Sequence, residues 1–572
     1  MKKNGYLNQD FLKPGLVIRF LPLFAAALII TACASLSLKK DFVQGVTQPT
    51  QYGQVKGTTD QPTGGLVWRG IKFAKAPQGE LRWKAPQEPE VWSGIRESVA
   101  HGPVCAQRSP QGKVEGEEDC LTLDIYRPDS AQSGLPVYVW IHGGANETGK
   151  AAGNNLSFFA KETNVVAVVI QYRLGPLGFF KHNALKTGDP LGDSGNFGLL
   201  DQIMALKWVK SNISNFGGNP NNVTIAGESA GAHDILALMA TKQATGLFQK
   251  AIYQSSGMNY RDIPSAQTIA EAYVKELKLS ASGVELAMAL REMKAEAILK
   301  ARPKDAAYDV IIDGQLIPAS PFCLVKSGDY NRVPILMGGN RNEYSLWLLL
   351  NGGPGGKWKT LWTMLPSYGK KPLSELLTPN EVETYMTTNS MTGRLWQAKQ
   401  VHWVARALRN HQKDVFVYDF RWGGTKGTDV EKIFGAAHAN EIAFFNFNAS
   451  IDIWGQNASI TKENKAAREA LAKAMMTYTG QFLHSGNANG EAKLPKWEKW
   501  SNEKGKVKAI HFDASSKPDD PTFLITMENK EYVLSDLHQE IDQMSDPIAQ
   551  KISRGMASDW RNTEPACNGG SK

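Results

Sequence analysis

The residues with the clearest chemical potential are a serine and its small neighbours at 227–231, which read Gly-Glu-Ser-Ala-Gly. They follow a short apolar run at 223–226 and precede a helix-like stretch at 232–241. A serine at such a strand-to-helix turn sits on a sharp bend, where small neighbours let the backbone fold back and leave Oγ exposed above the sheet. The N–H group of Ala230 points the same way, so one turn can supply the nucleophile Ser229 and part of an oxyanion hole. The pentapeptide alone is a weak signal, and its weight depends on the elements around it.

Strand-like and helix-like patterns alternate before and after the serine. Leu135–Ile141 is an apolar run of strand length that leads into His-Gly-Gly-Ala at 142–145, where backbone N–H groups can turn inward at the carboxyl end of a sheet. Apolar residues recur at helical spacing over 197–216. The remaining strand-like runs are 165–171, Lys250–Gln254, 333–338 and 415–421. Strands that alternate with helices predict a mostly parallel α/β sheet.

The overall composition is that of a globular protein with a large core. The chain has 572 residues, of which 42% are hydrophobic and 21% are charged. The formal net charge of +8 is mild for this length, and Lys and Arg are scattered without a basic run. The composition therefore argues against a nucleic acid as partner.

The N-terminus has the pattern of an export signal. An apolar run at 21–30 follows a polar, lysine-containing stretch, and it is too short to span a bilayer. Residues 30–33 read Ile-Thr-Ala-Cys, which resembles the lipobox of bacterial lipoproteins, whose cysteine receives a diacylglyceryl group. We therefore expect a lipoprotein-type signal peptide at 1–32, a lipidated Cys33 and a short tether at 33–45. Ordinary signal cleavage after Ala34 is the alternative.

This signal predicts an exported protein of the bacterial periplasm or cell envelope, held to a membrane by acyl chains on Cys33. Ala34 is not the Asp that would suggest retention at the inner membrane, so the sequence favours the outer membrane.

The cysteine count agrees with export. Four cysteines remain once Cys33 is set aside, and an even number suits an oxidising compartment. Cys105 and Cys120 enclose a short polar loop, and we expect them to be bridged. Cys323 and Cys567 are then left to pair, although sequence alone cannot show that they approach each other.

Several sequence blocks resemble those of the type B carboxylesterase and cholinesterase family of α/β-hydrolases, and the resemblance covers about residues 46–565. The blocks stand in the order and at the separations of that family. They lie at 70–74 (Gly-Ile-Lys-Phe-Ala), 81–83 (Leu-Arg-Trp), 118–126 (Glu-Asp-Cys-Leu-Thr-Leu-Asp-Ile-Tyr), 140–144 (Trp-Ile-His-Gly-Gly), 195–202 (Gly-Asn-Phe-Gly-Leu-Leu-Asp-Gln), 216–220 (Phe-Gly-Gly-Asn-Pro) and 227–231. The resemblance implies an α/β-hydrolase fold in one catalytic domain at 46–572, with a large, mostly parallel twisted sheet flanked by helices and helical insertions over the active site.

The resemblance also implies a role for three side chains that are far apart in the sequence. Ser229 would be the nucleophile, His438 would be its base, and Glu343 would hold the imidazole in the right tautomer. The order Ser, Glu, His is that of α/β-hydrolases. Asp309 and Asp313 compete with Glu343 as the acid of the triad.

The oxyanion hole implied by the resemblance consists of the N–H groups of Gly144, Ala145 and Ala230. The glycine loop of the family usually has a third glycine and then an aromatic residue, whereas this chain has Ala145 and Asn146. Donation uses backbone atoms, so we expect Ala145 to serve at a negative φ. Asn146 puts an amide where the family tends to have a hydrophobic wall, and we expect a preference for more polar acyl groups.

Two further polar residues receive structural roles. We expect Glu228, beside the serine, to be a buried carboxylate paired with a neighbouring arginine rather than a second base. We expect His142 to orient the glycine loop, because it precedes the loop donors at a strand end.

These roles predict a serine carboxylic-ester hydrolase that works through an acyl-enzyme and needs neither a metal nor an organic cofactor. Its partner would be a small-molecule ester. Two alternatives stay open. Some members of the family are non-catalytic binding or adhesion modules, and a hydrolase of amide or carbonate bonds would share the acyl-enzyme chemistry.

Substrate specificity is expected to come from helical insertions at 258–302 and 344–410. The second insertion carries five tryptophans that could line an apolar gorge or pack the cover of the site, and we expect packing for most of them; they are Trp347, Trp358, Trp362, Trp396 and Trp403. The loop 106–119 contains no aromatic residue. In cholinesterases the corresponding loop carries a tryptophan that binds the quaternary ammonium, so this loop argues against a specialist for choline esters.

Overall fold

An eleven-stranded mixed sheet forms the centre of the computed structural model. In chain order its strands are β1 (Thr58–Thr59), β2 (Leu66–Lys72), β3 (Thr122–Arg127), β4 (Leu135–Ile141), β5 (Val166–Ile170), β6 (Gly218–Glu228), β7 (Lys250–Gln254), β8 (Ile335–Asn340), β9 (Val415–Phe420), β10 (Ala509–Ala514) and β11 (Phe523–Glu528). Their order across the sheet is β11-β10-β9-β8-β7-β6-β4-β5-β3-β2-β1. All neighbours from β10 to β5 are parallel, and antiparallel pairs follow at both ends.

The strand-like runs of the sequence all become strands of this sheet. β4 and β7 begin and end where the sequence predicts. β5, β8 and β9 differ from the runs at 165–171, 333–338 and 415–421 by at most two residues at either end. The predicted mostly parallel α/β sheet is therefore confirmed.

The two faces of the sheet carry separate hydrophobic cores because side chains alternate along each strand. In β4, Val137, Val139 and Ile141 belong to one core, while Tyr138 and Trp140 belong to the other. Strands covered on both faces are apolar along their whole length, which is why these runs stand out in the sequence.

The α-helices flank the sheet or lie in the long connections between strands. They are α1 (Ser157–Thr163), α2 (Gly175–Gly178), α3 (Phe197–Asn212), α4 (Ala230–Ala240), α5 (Ile263–Glu276), α6 (Gly283–Glu292), α7 (Ala295–Lys300), α8 (Pro321–Ser327), α9 (Ser345–Asn351), α10 (Leu373–Leu376), α11 (Pro379–Trp396), α12 (Val404–Arg409), α13 (Asp429–Phe434), α14 (Ile442–Phe445), α15 (Lys465–Ser485), α16 (Leu534–Asp542) and α17 (Pro547–Ala557).

Both predicted insertions are helical. The first, between β7 and β8, contains α5, α6 and α7, and the second, between β8 and β9, contains α9 to α12. A π-helical segment at Gln397–Trp403 joins α11 to α12. The second insertion has its own hydrophobic cluster, in which Trp358 and Trp396 are buried and Trp347 and Trp362 are partly buried. Trp403 packs against the larger core, so these tryptophans pack the interior as expected.

The structure describes residues 42–109, 111–257, 259–365, 369–422, 428–446, 464–490, 493–514, 523–558, 565 and 567. The predicted signal peptide at 1–32, the lipidation site Cys33 and most of the tether lie outside these residues. Within the described parts, no helix has both the length and the apolar character needed to cross a bilayer.

Two disulfides link parts of the fold that the sequence separates. Cys105 is bridged to Cys120, as the short polar loop predicts, with their Cα atoms 4.9 Å apart. Cys323 in α8 is bridged to Cys567 near the C-terminus, with Cα atoms 5.3 Å apart. Both predicted pairings are confirmed.

Candidate active site

Ser229 occupies the turn between β6 and α4, in a backbone conformation that residues with a Cβ rarely adopt. Its φ is 56° and its ψ is −121°, and its N–H donates to the carbonyl of Gln254 at 2.9 Å. The flanking glycines are needed for this bend. A Cβ at Gly231 would lie 2.1 Å from the carbonyl oxygen of Ile141, and one at Gly227 would lie 2.7 Å from Gly231. Small residues therefore let the turn fold back against β4, which is the geometry of an exposed nucleophile.

His438 and Glu343 meet across 95 residues of sequence. The imidazole Nδ1 of His438 lies 2.6 Å from Oε2 of Glu343, and both residues are buried. The other carboxylate oxygen of Glu343 accepts from the N–H of Asn340 at 2.7 Å, at the end of β8. The two competing carboxylates have other partners, since Asp309 binds Arg261 at 2.6 Å and Asp313 accepts from two backbone N–H groups of a turn.

The second imidazole nitrogen faces the serine turn. Nε2 of His438 lies 3.2 Å from Oε1 of Glu228, the residue directly before Ser229. The sequence led us to expect an arginine beside Glu228, and this expectation is wrong. Among the described residues the ion-pair partner of Glu228 is His438.

A third buried carboxylate, Glu441, completes this charged cluster. It accepts hydrogen bonds from the Ser255 hydroxyl and from the side-chain amide of Asn340. Burial, followed by the charge of Glu343, raises the pKa of Glu441 to about 7. Glu441 was not among the predicted site residues, although it stands three residues after His438 in the same block.

The net charge around His438 favours its protonated form. Burial lowers the pKa of the imidazole, but the carboxylates of Glu228 and Glu343 outweigh this effect and raise it above the ordinary 6.5. Burial also raises the pKa of the Glu228 carboxyl well above its usual range, but the charge of His438 opposes this shift, so the two groups favour each other's charged forms. The site can therefore hold an imidazolium, which is the species that a serine hydrolase forms during acyl transfer.

The glycine loop after β4 lies against the serine turn. A Cβ at Gly143 would lie 3.0 Å from Cβ of Ser229. Gly144, Ala145 and Ala230 donate no backbone hydrogen bond to another described residue, so their N–H groups are available to a ligand. We expected a negative φ at Ala145, and this was wrong, because its φ is 57°. The loop turns in a left-handed sense through Gly144 and Ala145, which aims successive N–H groups to one side.

Asn146 does not take the position that the sequence suggested. Its side chain is fully buried, and its amide donates to Oδ1 of Asp234 in α4 at 3.1 Å. The amide is therefore turned toward the protein interior, and the expected preference for polar acyl groups loses its structural basis.

Two side chains, those of His142 and Gln107, contact the rest of the loop. Nδ1 of His142 lies 2.9 Å from the carbonyl of Gly143, and burial lowers the pKa of His142 to about 4, so this imidazole is neutral. Gln107, inside the disulfide loop, exchanges two hydrogen bonds with the backbone of Gly149, at 2.9 and 3.0 Å. These contacts agree with the orienting role expected for His142.

Two tryptophans of the second insertion stand beside His438. The ring of Trp347 lies 4.9 Å and that of Trp396 lies 5.6 Å from the imidazole, centroid to centroid. Trp347 is only partly buried. The insertion thus contributes an aromatic wall to the site. Within the described residues, no group of three or more His, Cys, Asp or Glu side chains has an arrangement that could hold a metal ion.

Comparison with known proteins points to one family. Residues 45–524 match the model of the carboxylesterase family. The chain is 34% identical over 467 residues to para-nitrobenzyl esterase of Bacillus subtilis, covering 77% of this chain and 90% of that protein. It is also 34% identical over 488 residues to acylcarnitine hydrolase of Rattus norvegicus, covering 78% of this chain and 84% of the relative.

Solved structures of esterases have the same fold as this chain. A carboxylesterase of Geobacillus stearothermophilus superposes with a TM-score of 0.66 at 29% identity, covering 84% of this chain and 98% of that one. A PNB esterase superposes with a TM-score of 0.65 at 28% identity, covering 87% and 99%. Since the match spans most of the sequence and the α/β-hydrolase fold is shared, this chain belongs to the carboxylesterase family and is a serine hydrolase of carboxylic esters.

Proposed function

We propose that Ser229, His438 and Glu343 form the catalytic triad of this esterase. The observation that carries the proposal is the 2.6 Å contact between Nδ1 of His438 and Oε2 of Glu343, which leaves Nε2 facing the serine turn. A carboxylate on Nδ1 fixes the tautomer in which Nε2 can accept a proton, and it stabilises the imidazolium that follows.

The reaction then proceeds in two acyl transfers. Oγ of Ser229 attacks the ester carbonyl carbon while His438 takes the hydroxyl proton, and the N–H groups of Gly144, Ala145 and Ala230 receive the oxyanion. The bond to the alcohol oxygen breaks as His438 returns the proton to that oxygen. Water repeats the sequence on the acyl-enzyme and releases the carboxylic acid and free Ser229.

The substrates we propose are small carboxylic esters without a cationic alcohol. The loop closed by Cys105 and Cys120 carries no aromatic residue that could bind a quaternary ammonium, while Trp347 offers an apolar surface beside His438. One relative is named for para-nitrobenzyl esters, and aryl or benzyl esters of this kind fit an aromatic wall.

The triad is tested with Ser229→Ala. We expect kcat/KM for p-nitrophenyl esters to fall by about 10⁴-fold or more, because the nucleophile is removed. Ser157→Ala, which removes a buried hydroxyl from α1, is the matched control and should leave turnover unchanged. Turnover by Ser229→Ala at the rate of the unchanged protein would reject the assignment.

The bond that is cleaved is tested with a paired substrate panel. p-Nitrophenyl esters, the matching p-nitroanilides and a p-nitrophenyl carbonate differ in the bond that is cleaved, and each releases a coloured product, p-nitrophenol or p-nitroaniline. We expect esters to be favoured. Anilides or carbonates hydrolysed at least as fast would point to the corresponding amide or carbonate hydrolase, and no turnover of any of them would favour a binding module.

We also propose that Cys33 carries a lipid anchor and that the esterase resides in the bacterial cell envelope, on the outer membrane. The support is the Ile-Thr-Ala-Cys sequence after an apolar run. Cys33→Ala should move the protein from the membrane fraction to the soluble exported fraction, and mass spectrometry should find acyl chains on the N-terminal peptide of the unchanged protein. An unmodified N-terminus after Ala34 would instead show ordinary signal cleavage.

A further inference from the structure

The glycine loop that would receive the oxyanion is held in an unfavourable backbone conformation. φ is 107° at Gly144, 57° at Ala145 and 54° at Asn146. Glycine adopts such angles freely, but residues with a Cβ do so only where their surroundings determine the conformation. Something in the surrounding structure must therefore fix Ala145 and Asn146.

The side chain of Asn146 makes the contacts that can do this. Its Nδ2 donates to Oδ1 of Asp234 at 3.1 Å, and its Oδ1 lies 3.2 Å from the hydroxyl of Tyr172. The same hydroxyl donates to the carbonyl of His142 at 2.7 Å. The backbone carbonyl of Asn146 accepts from the N–H of Gly175 at 2.6 Å. Asn146 thus connects the loop to α4 and to the segment 172–175 that follows β5.

Asp234 is an unusual partner because it is a fully buried carboxylate held by neutral groups. Its Oδ2 accepts from the amide of Gln202 in α3 at 2.5 Å, and Asn146 provides the other hydrogen bond. None of the described lysines or arginines forms an ion pair with it. A buried carboxylate without a cation is costly and is retained mostly where it serves the function of the site.

The position of Asp234 suggests that function. It lies in α4, the helix whose first residue, Ala230, offers one of the oxyanion donors. Asn146 directly follows Ala145, which offers another. The hydrogen bond between Asn146 and Asp234 therefore joins the two parts of the oxyanion hole, the loop and the helix.

We propose that Asn146 and Asp234 are positioning residues that set the distance and angle between the loop donors and the helix donor of the oxyanion hole. This inference rests on the proposed triad and hole. Because the donors meet the substrate oxygen best when it becomes an oxyanion, misplacing them slows the chemical step more than it weakens substrate binding.

The test exchanges the two side chains, since Asn and Asp have nearly the same shape. Asn146→Asp alone sets two carboxylates against each other. Asp234→Asn alone leaves one acceptor oxygen for the two amide donors of Asn146 and Gln202, so one of these donors loses its acceptor. In the double variant the amide at position 234 donates to the carboxylate at position 146. Gln202 then donates to the new amide oxygen, so both hydrogen bonds of the exchanged pair keep a donor and an acceptor. The Tyr172 hydroxyl has one proton, which it donates to the carbonyl of His142 or to the oxygen at position 146, as in the unchanged protein.

We expect each single variant to lower kcat for a p-nitrophenyl ester by about 10²-fold while KM changes by less than about threefold, as for the loss of an oxyanion donor. The double variant should recover kcat to within about tenfold of the unchanged enzyme. Affinity for an alkyl trifluoromethyl ketone, whose serine adduct carries an oxyanion, should fall in the single variants and recover in the double variant in parallel with kcat.

Asn212→Asp is the matched control, because Asn212 is a buried asparagine with two hydrogen bonds at the far end of α3. It should lower the melting temperature and leave kcat unchanged. If the Asn146 and Asp234 variants behaved like this control, their role would be structural only and the inference would be overturned.

The inference would also be overturned if the decrease in kcat of the double variant were the product of the decreases in the two single variants. If a single variant does not fold, a folded and active double variant supports the pairing, and an unfolded or inactive one contradicts it. The proposed triad is judged separately, because Ser229→Ala tests it without touching this pair. An inactive Ser229→Ala together with additive losses would reject the positioning pair and keep the triad.

Discussion

His438 is the residue whose environment most affects how this esterase responds to pH. Three buried carboxylates, Glu228, Glu343 and Glu441, surround it, and only Glu343 contacts Nδ1. A free imidazole would place the acid limb of activity near pH 6 to 7. The carboxylates outweigh burial and raise the pKa of His438, so the acid limb should lie at higher pH than for a free histidine.

The first prediction concerns this acid limb. kcat/KM rises as pH rises through the pKa of His438, because only the neutral imidazole can accept the serine proton. Glu228→Gln removes a carboxylate that raises this pKa, so the midpoint of the rise should move to lower pH, by about one unit. Glu118→Gln, at a glutamate paired with Arg82, is the control. A midpoint that stays in place or moves upward in Glu228→Gln would contradict the electrostatic account.

A second prediction concerns the backbone at Ala145. Because its φ is 57°, Ala145→Gly should keep kcat and leave the free energy of unfolding equal or slightly higher. Ala145→Val adds a β-branched side chain that rarely tolerates this φ. It should lower the free energy of unfolding in urea by more than about 1 kcal/mol and reduce kcat. Equal stability and activity of the two variants would show that the left-handed turn at Ala145 is not needed.

The sequence indicated His438 and Glu343 as partners because each lies in a recognisable block. It could not indicate Glu441 or Asp234 as members of buried networks. Whether a carboxylate is buried, and what it meets there, depends on neighbours that are distant in sequence, such as Ser255 for Glu441 and Asn146 for Asp234. The same limit explains the wrong partner expected for Glu228 and the wrong direction expected for the Asn146 side chain.

Strands buried on both faces were the elements that sequence predicted best. β4 and β7 are continuous apolar runs, and their bounds follow directly from that pattern. The outer strands β1 and β11 were not predicted. The described side chains of these two strands are exposed or half-buried, so the strands lack the apolar pattern of the central ones, although each pairs with its neighbour in sequence, β2 or β10.

The third prediction concerns the disulfide loop as an element. Cys105 and Cys120 are 15 residues apart, and closing a loop of this length should stabilise the fold by about 3 kcal/mol. Replacing both cysteines by alanine should lower the free energy of unfolding in urea by about this amount. We also expect kcat to fall, because Gln107 in this loop braces Gly149 of the glycine loop.

Unchanged stability in that double variant would mean that the loop is ordered without its disulfide. Unchanged kcat together with lowered stability would mean that the contact of Gln107 with Gly149 persists without the disulfide. Cys323 and Cys567 remain paired in this experiment, so no new free thiol complicates the comparison.

The whole molecule brings together residues from widely separated parts of the chain at one edge of its sheet. Ser229 follows β6, Glu343 follows β8 and the glycine loop follows β4, each at the carboxyl end of its strand. His438 comes from the connection after β9. Because neighbouring strands are parallel, their carboxyl ends lie side by side. Residues more than 200 positions apart, such as Glu228 and His438, can therefore meet there. This arrangement could be predicted from the alternating pattern of the sequence and from its resemblance to a known family. The sequence also allowed tryptophans of the second insertion to line the site, but which of them reach His438 depends on how the helices of the insertion pack.

The central claim is that Ser229 carries the acyl group during turnover. The most direct measurement is to mix the enzyme with excess p-nitrophenyl acetate, quench with acid within one turnover and locate the acetyl group by peptide mass spectrometry. The account predicts a single acetyl group on the peptide that contains Ser229, formed with a burst of p-nitrophenol and absent from Ser229→Ala. An acetyl group on another residue in step with turnover, or full turnover without any covalent acyl-enzyme, would contradict it.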